Sequence, residues 1–451
     1  MLNDTICAPA TPPINSPLGI IRISGSESLR VVNSIFNYPE KIKPRYVVYG
    51  SIIDNNEIID DVVLVFYQNP QSFTGEDMVD IFCHGNPIIV KKIINLIIRN
   101  GAVMAEPGEF SKRAFINGKI DLTAAEAINQ VITARSEWEI SSSIRQMHGS
   151  LRDVVNEIKS RLILLKADIE AGIDFLEEDI EFISEADAIT QLDDIRIQLD
   201  NLLQRCRIGE KISHGIDIPI IGKPNVGKSS ILNLILNSER AIVSNIPGTT
   251  RDLINETIQF AGIRTNLFDT AGIDKPTNEI ERKGIELSQQ KIDSSSIIIM
   301  VFDAYLGINN EDKAILEKIN NKKKIILANK IDLTTKDVAE KYKDIVGQNI
   351  ILFSAKTGEG LADLEKEISN IYKHELVDYE NSFVADIRIV NKLEASIVKI
   401  QDCKRLLTHK EPLEVISFEL QILIDTLSEI TGEISPDDVL NSIFSRFCIG
   451  K

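Results

Sequence analysis

Gly222-Lys223-Pro224-Asn225-Val226-Gly227-Lys228-Ser229-Ser230 is the stretch on which the reading of this chain turns. It matches G-x-x-x-x-G-K-[ST], the pattern of a phosphate-binding loop. An apolar strand candidate, 216–221, leads into it, and Ile231-Leu232-Asn233-Leu234-Ile235-Leu236 continues as a helix. That strand–loop–helix context separates the motif from a chance glycine-rich turn. The glycines let backbone N–H groups curl around phosphate oxygens, with Asn225, Val226, Gly227 and Ser230 in the cradle. Lys228 is expected to reach the β- and γ-phosphates, and the Ser229 hydroxyl to ligate Mg²⁺.

Three further elements follow in order, each after a strand candidate. Asp269-Thr270-Ala271-Gly272 ends the strand candidate 265–268; its carboxylate is expected to hold Mg²⁺ through water and a Gly N–H to sense the γ-phosphate. Asn329-Lys330-Ile331-Asp332 follows 324–327, and Asp332 suits the ring N–H and exocyclic amine of guanine, a pairing adenine does not offer. Ser354-Ala355-Lys356 follows 350–353 and closes over the base. Together with the phosphate loop these imply a GTP-binding and GTP-hydrolysing domain. Between the loop and Asp269 lies the expected switch segment, Ser244-Asn245-Ile246-Pro247-Gly248-Thr249-Thr250, in which Thr250 is the second Mg²⁺ hydroxyl. Ile273 stands where Ras-like enzymes carry a water-positioning Gln, and an apolar side chain cannot orient water. Asn225 resembles the asparagine of potassium-activated GTPases, whose cation supplies charge otherwise given by an arginine finger. Ser244, Ile246 and Thr249 would complete that K⁺ site. A plain loop-stabilising amide is the other reading of Asn225.

Outside this segment the pattern changes twice. Residues 1–118 alternate β-branched runs with turns: strand candidates at 19–23, 46–53 and 61–67, and a helix over 88–98 that stops near Asn100-Gly101. From Asp121 long amphipathic helices begin, with stripes through Leu151, Val155, Ile158, Leu162 and Leu165, then Leu192, Ile195, Leu199 and Leu202. The pattern stops near Gly209 and returns after about Asn381, through Val384, Ile387, Val390, Leu393 and Ile400, and again through Leu413, Ile416, Leu420, Leu423 and Ile430. The expected architecture is multidomain α/β. It has an N-terminal α+β domain over 1–118, an all-α helical domain over 119–215 and 376–451, and an inserted Ras-like P-loop GTPase domain over 216–375.

Composition sets the outer limits. A length of 451 residues suggests roughly two to four domains. Lys and Arg number 50 against 67 Asp and Glu, a formal −17, which argues against simple charge-driven coating of nucleic acid. No apolar run is long enough for a membrane span. Five scattered cysteines without a C-x-x-C pair fit free thiols in a reducing, cytoplasmic setting.

The ends of the chain add family-level detail. Asp4-Thr5-Ile6, Gly19-Ile20-Ile21-Arg22-Ile23-Ser24-Gly25, Ser72-Phe73-Thr74-Gly75-Glu76-Asp77, His84-Gly85-Asn86-Pro87, the stretch Pro107-Gly108-Glu109-Phe110-Ser111-Lys112-Arg113 and the terminal Phe447-Cys448-Ile449-Gly450-Lys451 resemble the tRNA modification GTPase MnmE (TrmE) family. The resemblance covers the whole length. It implies an enzyme that works with the flavoprotein MnmG to add an aminomethyl or carboxymethylaminomethyl group at C5 of the wobble uridine of certain tRNAs. It implies a homodimer formed through an N-terminal domain that binds a tetrahydrofolate one-carbon donor, 5-formyl- or 5,10-methylene-tetrahydrofolate. By motif, the folate contacts are Arg22, Glu76, Lys119 and Lys451; a pterin presents an amidine-like edge to Glu76, and its glutamate tail suits Arg22 or a lysine. Glu281 falls where the family places an acidic residue that orients water indirectly; a solvated helix charge is its other reading.

Lys228, Glu281 and Cys448 are thus the candidate catalytic residues. For Cys448 a thiol acting on substrate and a packing thiol both stand; Gly450 and Lys451 behind it, with no polybasic run before it, do not fit a prenylation signal. Asn15-Ser16-Pro17 departs from the Gly/Arg-rich loop of relatives, and Asn86 stands where Gly is common, a place where Asn tolerates a left-handed turn. The acidic run from Asp168 to Asp179 reads as a solvated or inter-domain face, with a cation site as its other reading. A ribosome-assembly switch that docks on RNA is the alternative function, and a folate-dependent transferase acting alone a third. Neither a KH-like G-x-x-G module, a second GTPase domain nor a second catalytic constellation is visible.

Overall fold

Burial alternates residue by residue along 60–67, where Asp60, Val62, Leu64 and Phe66 are buried, the signature of a sheet with one buried face. The computed structural model describes residues 4–174, 183–237, 255–260, 263–269, 295, 297–334, 341, 350–375, 381–434 and 436–450. In its N-terminal part, β1 (Ile6–Pro9), β2 (Ser16–Ser24), β3 (Phe36–Asn37), β4 (Val47–Asp54), β5 (Glu57–Tyr67), β6 (Met78–Gly85) and β7 (Val103–Met104) form one sheet, ordered β3-β4-β5-β6-β2-β1-β7. Every pairing is antiparallel except β1 with β7. Helices α1 (Ser28–Asn33) and α2 (Pro87–Arg99) complete its core, where Ile21, Ile23, Leu64, Ile81, Ile93 and Ile97 are all buried. The register sets Arg22 of β2 opposite Asp80 of β6.

Asn86 does not take the left-handed turn its chemistry allows. Its backbone is extended at φ −89°, and its side chain accepts the Ile88 N–H at 2.9 Å, capping α2 ahead of Pro87. The helix ends as expected, with Asn100 after its last turn and Gly101 at φ +108°.

Beyond α3 (Glu109–Ile116) come α4 (Leu122–Thr133), α5 (Glu137–Met147), α6 (Ser150–Asp174) and α7 (Glu185–His214). The stripe on α6 buries Leu151, Val155, Ile158, Leu162 and Leu165, and that on α7 buries Leu192, Ile195, Leu199 and Leu202. Each such side chain contributes about 1.5–3 kcal/mol relative to exposure. Helix α7 does not stop at Gly209 but runs through it. A Cβ there would lie 1.8 Å from the Phe383 carbonyl oxygen, so glycine marks a close approach and not a helix end.

The inserted region contains β8 (Ile216–Ile221), α8 (Lys228–Leu236), β9 (Asn255–Phe260), β10 (Ile263–Asp269), β11 (Ile297–Asp303), α9 (Asn310–Lys318), β12 (Lys323–Asn329), β13 (Ile350–Leu352) and α10 (Leu361–Glu375). Its sheet is ordered β13-β12-β11-β8-β10-β9, parallel except at the β9 edge. That is a Ras-like P-loop layout, with the nucleotide loops at the carboxyl ends of parallel strands. Every residue of β11 is buried, as a strand covered on both faces requires. Helices α11 (Ile387–Thr408), α12 (Leu413–Thr431) and α13 (Asp437–Phe444) follow; α12 packs along α6, and its Leu420, Leu423 and Leu427 are buried. Within the stripe expected from Val384 onward, Ile387 is exposed and Ile389 is buried in its place. Val384 precedes the helix and belongs to the same buried cluster as Ile218 and Ile220 of the inserted sheet.

The chain divides into two compact units. Met1–Ile132, Ile144–Leu199 and Asn391–Lys451 form one; Thr133–Ser143 and Asp200–Val390 form the other. In the second unit Trp138, Ile212 and Val384 share a core with the parallel sheet, and the Arg205 guanidinium lies 4.4 Å over the Phe383 ring. The fold is multidomain α/β, with an α+β N-terminal sheet domain, long helices and an inserted P-loop domain. Among the described residues no helix is long and apolar enough to cross a membrane.

Candidate functional site

The phosphate loop is shaped by what its neighbours leave room for. Gly222 (φ +149°) passes so close to β11 that a Cβ would lie 2.3 Å from the Val301 carbonyl oxygen. At Gly227 (φ +99°) a Cβ would lie 2.3 Å from the Asn329 amide nitrogen. Lys228, almost fully buried, donates to the carbonyls of Gly222 at 2.8 Å and Lys223 at 2.9 Å, drawing the loop into a ring. Ser229 and Ser230 open α8 on its exposed side, where helix N–H groups favour anions. This cradle fits the phosphates and Mg²⁺ that a GTPase needs: a compact N–H-lined turn with a hydroxyl at the helix start.

The Asn-Lys-Ile-Asp turn is bonded directly to this loop. Asn329 is 2% exposed; its amide donates to the Val226 carbonyl at 2.8 Å, and its amide oxygen accepts the Ala355 N–H at 3.0 Å. Lys330, in the left-handed region at φ +69°, donates to the Asn225 carbonyl at 2.8 Å and to Asp303 at 2.7 Å. Asp332 accepts the fully buried Ser354 hydroxyl on Oδ1 at 2.8 Å, which restrains its carboxylate. Lys356 is exposed beside Ala355. Burial opposes the charge of Asp303, but the Lys330 ammonium and the N–H groups of Leu306 and Tyr305 outweigh it and hold this carboxyl below its ordinary value.

Asp269 ends β10, paired in parallel register with Ile220 of β8. Ser244, Asn245, Ile246, Pro247, Gly248, Thr249, Thr250, Thr270, Ala271, Gly272, Ile273 and Glu281 lie outside the described residues. The two halves of the K⁺ expectation are therefore unequal. Asn225 sits in the loop at φ +63°, while Ser244, Ile246 and Thr249 belong to that outside group.

A second constellation lies at the β2–β6 end of the N-terminal sheet. Arg22 engages Asp80 through a fork, Nε to Oδ1 at 2.9 Å and Nη2 to Oδ2 at 3.3 Å, and lies 6.0 Å over the Phe73 ring. Glu76 accepts the Ser24 hydroxyl at 2.8 Å and both of its oxygens face Nη1 of Arg113 at 3.2 Å. Arg113, only 2% exposed, also binds Glu109 at 2.8 Å and the Asp4 carbonyl at 2.7 Å. Lys119 donates to the Pro70 carbonyl at 2.9 Å, and its stem lies against Gly75. Thus Arg22, Glu76 and Lys119 all border the 68–77 loop, each with an internal partner. Two carboxylates around one buried guanidinium leave an acceptor-rich end at Glu76. That fits a ligand edge presenting N–H donors.

Lys451 lies outside the described residues; Gly450 just before it is so near β1 that a Cβ would lie 2.2 Å from the Pro9 carbonyl oxygen. Cys448 is the exposed thiol of the five. Burial pushes Cys7, Cys206 and Cys403 up to about 12 and Cys83 to about 11, so those four are inert packing groups. On the acidic run, Glu170 accepts from Lys166 at 2.6 Å and Ser417 at 2.8 Å, a helix-surface contact; Glu177, Glu178 and Asp179 lie outside the described residues. Among the described residues no group of acidic, His or Cys side chains is arranged to hold a metal.

Motif reading missed Arg113, Asp80 and Asp303. Arg113 stands in the 107–113 stretch that carries the family resemblance, which gives it no role of its own, and Asp80 interrupts an apolar strand. Asp303 left one usable signal: it ends the apolar run Ile297-Ile298-Ile299-Met300-Val301-Phe302.

A parallel sheet whose carboxyl ends carry a phosphate loop, an Asn-Lys-Ile-Asp turn and a Ser-Ala-Lys turn defines a P-loop GTPase. The family description "MnmE helical domain" matches residues 122–448, and "GTP-binding protein TrmE N-terminus" matches 5–119. The chain is 41% identical over 451 residues to the tRNA modification GTPase MnmE of Thermotoga maritima, covering 99% of this chain and 100% of that one. With the Aquifex aeolicus protein of the same name it shares 40% over 452 residues, the full length of both. A crystal structure of Era with MgGDPNP and a 16S ribosomal RNA segment is a partial likeness, at 28% identity over 34% of this chain and 55% of that one, with a TM-score of 0.29. The chain belongs to the MnmE family of GTPases.

Proposed function

We propose that this GTPase is a tRNA modification enzyme that works with the flavoprotein MnmG. In this reading the pair adds an aminomethyl or carboxymethylaminomethyl group at C5 of the wobble uridine of certain tRNAs, from a tetrahydrofolate one-carbon donor. The observation that carries the reading is the full-length likeness to tRNA modification GTPases, 41% over 99% of this chain. The acceptor-rich end at Glu76, beside Arg22 and Lys119, supports a role for the N-terminal domain in holding the folate, with Lys451 as a fourth contact. The proposed limits are 1–118 for that domain, 119–215 with 376–451 for the helical domain, and 216–375 for the GTPase. The protein acts as a cytoplasmic homodimer that engages tRNA together with MnmG. The −17 net charge is consistent with a partner that supplies much of the RNA-binding surface.

At the nucleotide, Ser229 and Thr250 are the proposed Mg²⁺ ligands, and Asn225, Ser244, Ile246 and Thr249 the K⁺ ligands. These cations supply charge stabilisation at the γ-phosphate. Lys228 binds the β- and γ-phosphates, Asp332 and Asn329 fix the base, and Glu281 orients water at one remove. Cys448 is the proposed thiol of the modification step.

The test is nucleoside mass spectrometry of tRNA from a strain lacking this gene, complemented with the wild type or with Cys448→Ser. Loss of the C5-modified uridine and its return with the wild type are expected. Cys448→Ser should leave it missing while GTP hydrolysis stays intact. An unchanged nucleoside profile in the deletion, with altered ribosome assembly, would favour an RNA-docking switch instead.

A further inference from the structure

The geometry points to Asp303 as a positioning residue for guanine nucleotide, one that acts through Lys330 to hold the phosphate loop and the base-recognition turn in a single arrangement. Asp303 is the last residue of the fully buried strand β11. Its own following turn clamps it: Oδ1 accepts the N–H groups of Tyr305 at 2.9 Å and Leu306 at 3.2 Å. Oδ2 is left to face the Lys330 ammonium at 2.7 Å.

The other end of that ammonium reaches the Asn225 carbonyl at 2.8 Å. Lys330 and Asn225 are both non-glycine residues in the left-handed region, at φ +69° and +63°. Such conformations persist where surrounding contacts over-determine them. Here one ammonium joins the two left-handed residues, which belong to separate loops, and the Asp303 carboxylate is its counter-charge. Remove that charge and, among the described residues, the ammonium keeps the Asn225 carbonyl and no anionic partner.

The segment after Asp303 grips the phosphate loop a second time. Asp312, in the first turn of α9, is fully buried and pairs with Lys223 of the loop at 2.8 Å. The same oxygen accepts the Asn309 N–H at 3.0 Å, so helix capping and the loop contact share one carboxylate. The connector 303–312 thus anchors the loop at one flank directly and at the other through Lys330. Asp303 belongs to none of the recognised GTPase elements, and its role here is to fix the group beside them.

The experiment is release of a fluorescent GDP analogue from the full chain in Mg²⁺, chased with excess unlabelled GDP. Asp303→Asn should speed release about tenfold, the effect of losing one charge-assisted hydrogen bond. Lys330→Met should speed it as well, and the double variant should release no faster than Lys330→Met alone. A merely structural contribution multiplies across the two sites; a contribution made through Lys330 does not. Fluorescence of Trp138, buried in the core of the same unit, checks that each variant is folded. Release from Asp303→Asn within twofold of wild type, or multiplying effects in the double variant, overturns the assignment. Should Asp303→Asn not fold, Asp303→Glu takes its place in the same cycle, with the same two outcomes.

Discussion

The nucleotide site and the N-terminal Glu76–Arg113 cluster are both buried polar networks, yet they are assembled in opposite ways. The nucleotide site draws on short contiguous motifs, and many of its bonds run to backbone: Lys228 to Gly222 and Lys223, Asn329 to Val226, Lys330 to Asn225. The N-terminal cluster gathers single side chains from Ser24, Glu76, Glu109 and Arg113, which meet mainly through charge. A backbone-anchored site tolerates many neighbouring substitutions and fails when a motif residue changes. A charge cluster around one guanidinium fails when its centre is removed.

The largest expected effect tests that second statement. Arg113→Met leaves Glu76 and Glu109 facing each other across an apolar side chain, and should cost about 3–5 kcal/mol of stability by urea denaturation. A loss below about 1 kcal/mol would mean the cluster is wetter and more adaptable than its burial implies. In the nucleotide site, Asp332→Asn should weaken GDP binding about 100-fold, since it replaces a charged acceptor by a neutral amide with one donor end. Equal GDP and XDP affinities in the wild type would break the assignment of that turn to the base. Hydrolysis should rise about tenfold when K⁺ replaces Na⁺, on the scale of one transition-state charge contact. Equal rates in the two salts would return Asn225 to a loop-stabilising role.

The smallest effect concerns acid. Asp303 is held below its ordinary value, so its contribution to the second unit is complete above the unfolded carboxylate value of roughly 4. It is lost as pH falls through the lower folded value. The wild type should therefore show a steeper decline in urea midpoint below roughly pH 4 than Asp303→Asn, and matching slopes would remove Asp303 from the acid response.

Legibility in the sequence followed the same division. Strands β4 and β5 announced themselves by β-branched runs bounded by turns, α6 and α12 by their helical stripes, and the four GTPase elements by order and spacing. Strand β6 was not apparent: Met78-Val79-Asp80-Ile81-Phe82-Cys83 mixes a buried carboxylate into an apolar run, so neither period stands out. Arg113 was read only as part of a family motif because helical spacing cannot tell a surface arginine from one matched by carboxylates 4 and 37 positions away. Gly209 suggested a stop because glycine is a poor helix former, but a carbonyl from Phe383 fills the space a side chain would need.

What the sequence determined by itself is what short-range geometry can specify: the phosphate loop, the Asn-Lys-Ile-Asp and Ser-Ala-Lys turns, the amphipathic faces of long helices. These depend on residues a few positions apart, so their spacing is their structure. Only the tertiary structure decided which distant charges neutralise one another. Arg22 met Asp80, Glu76 met Arg113, Lys223 met Asp312 and Lys330 met Asp303 because strand register and loop closure brought them together. Buried charge demands a partner, but no local pattern names it.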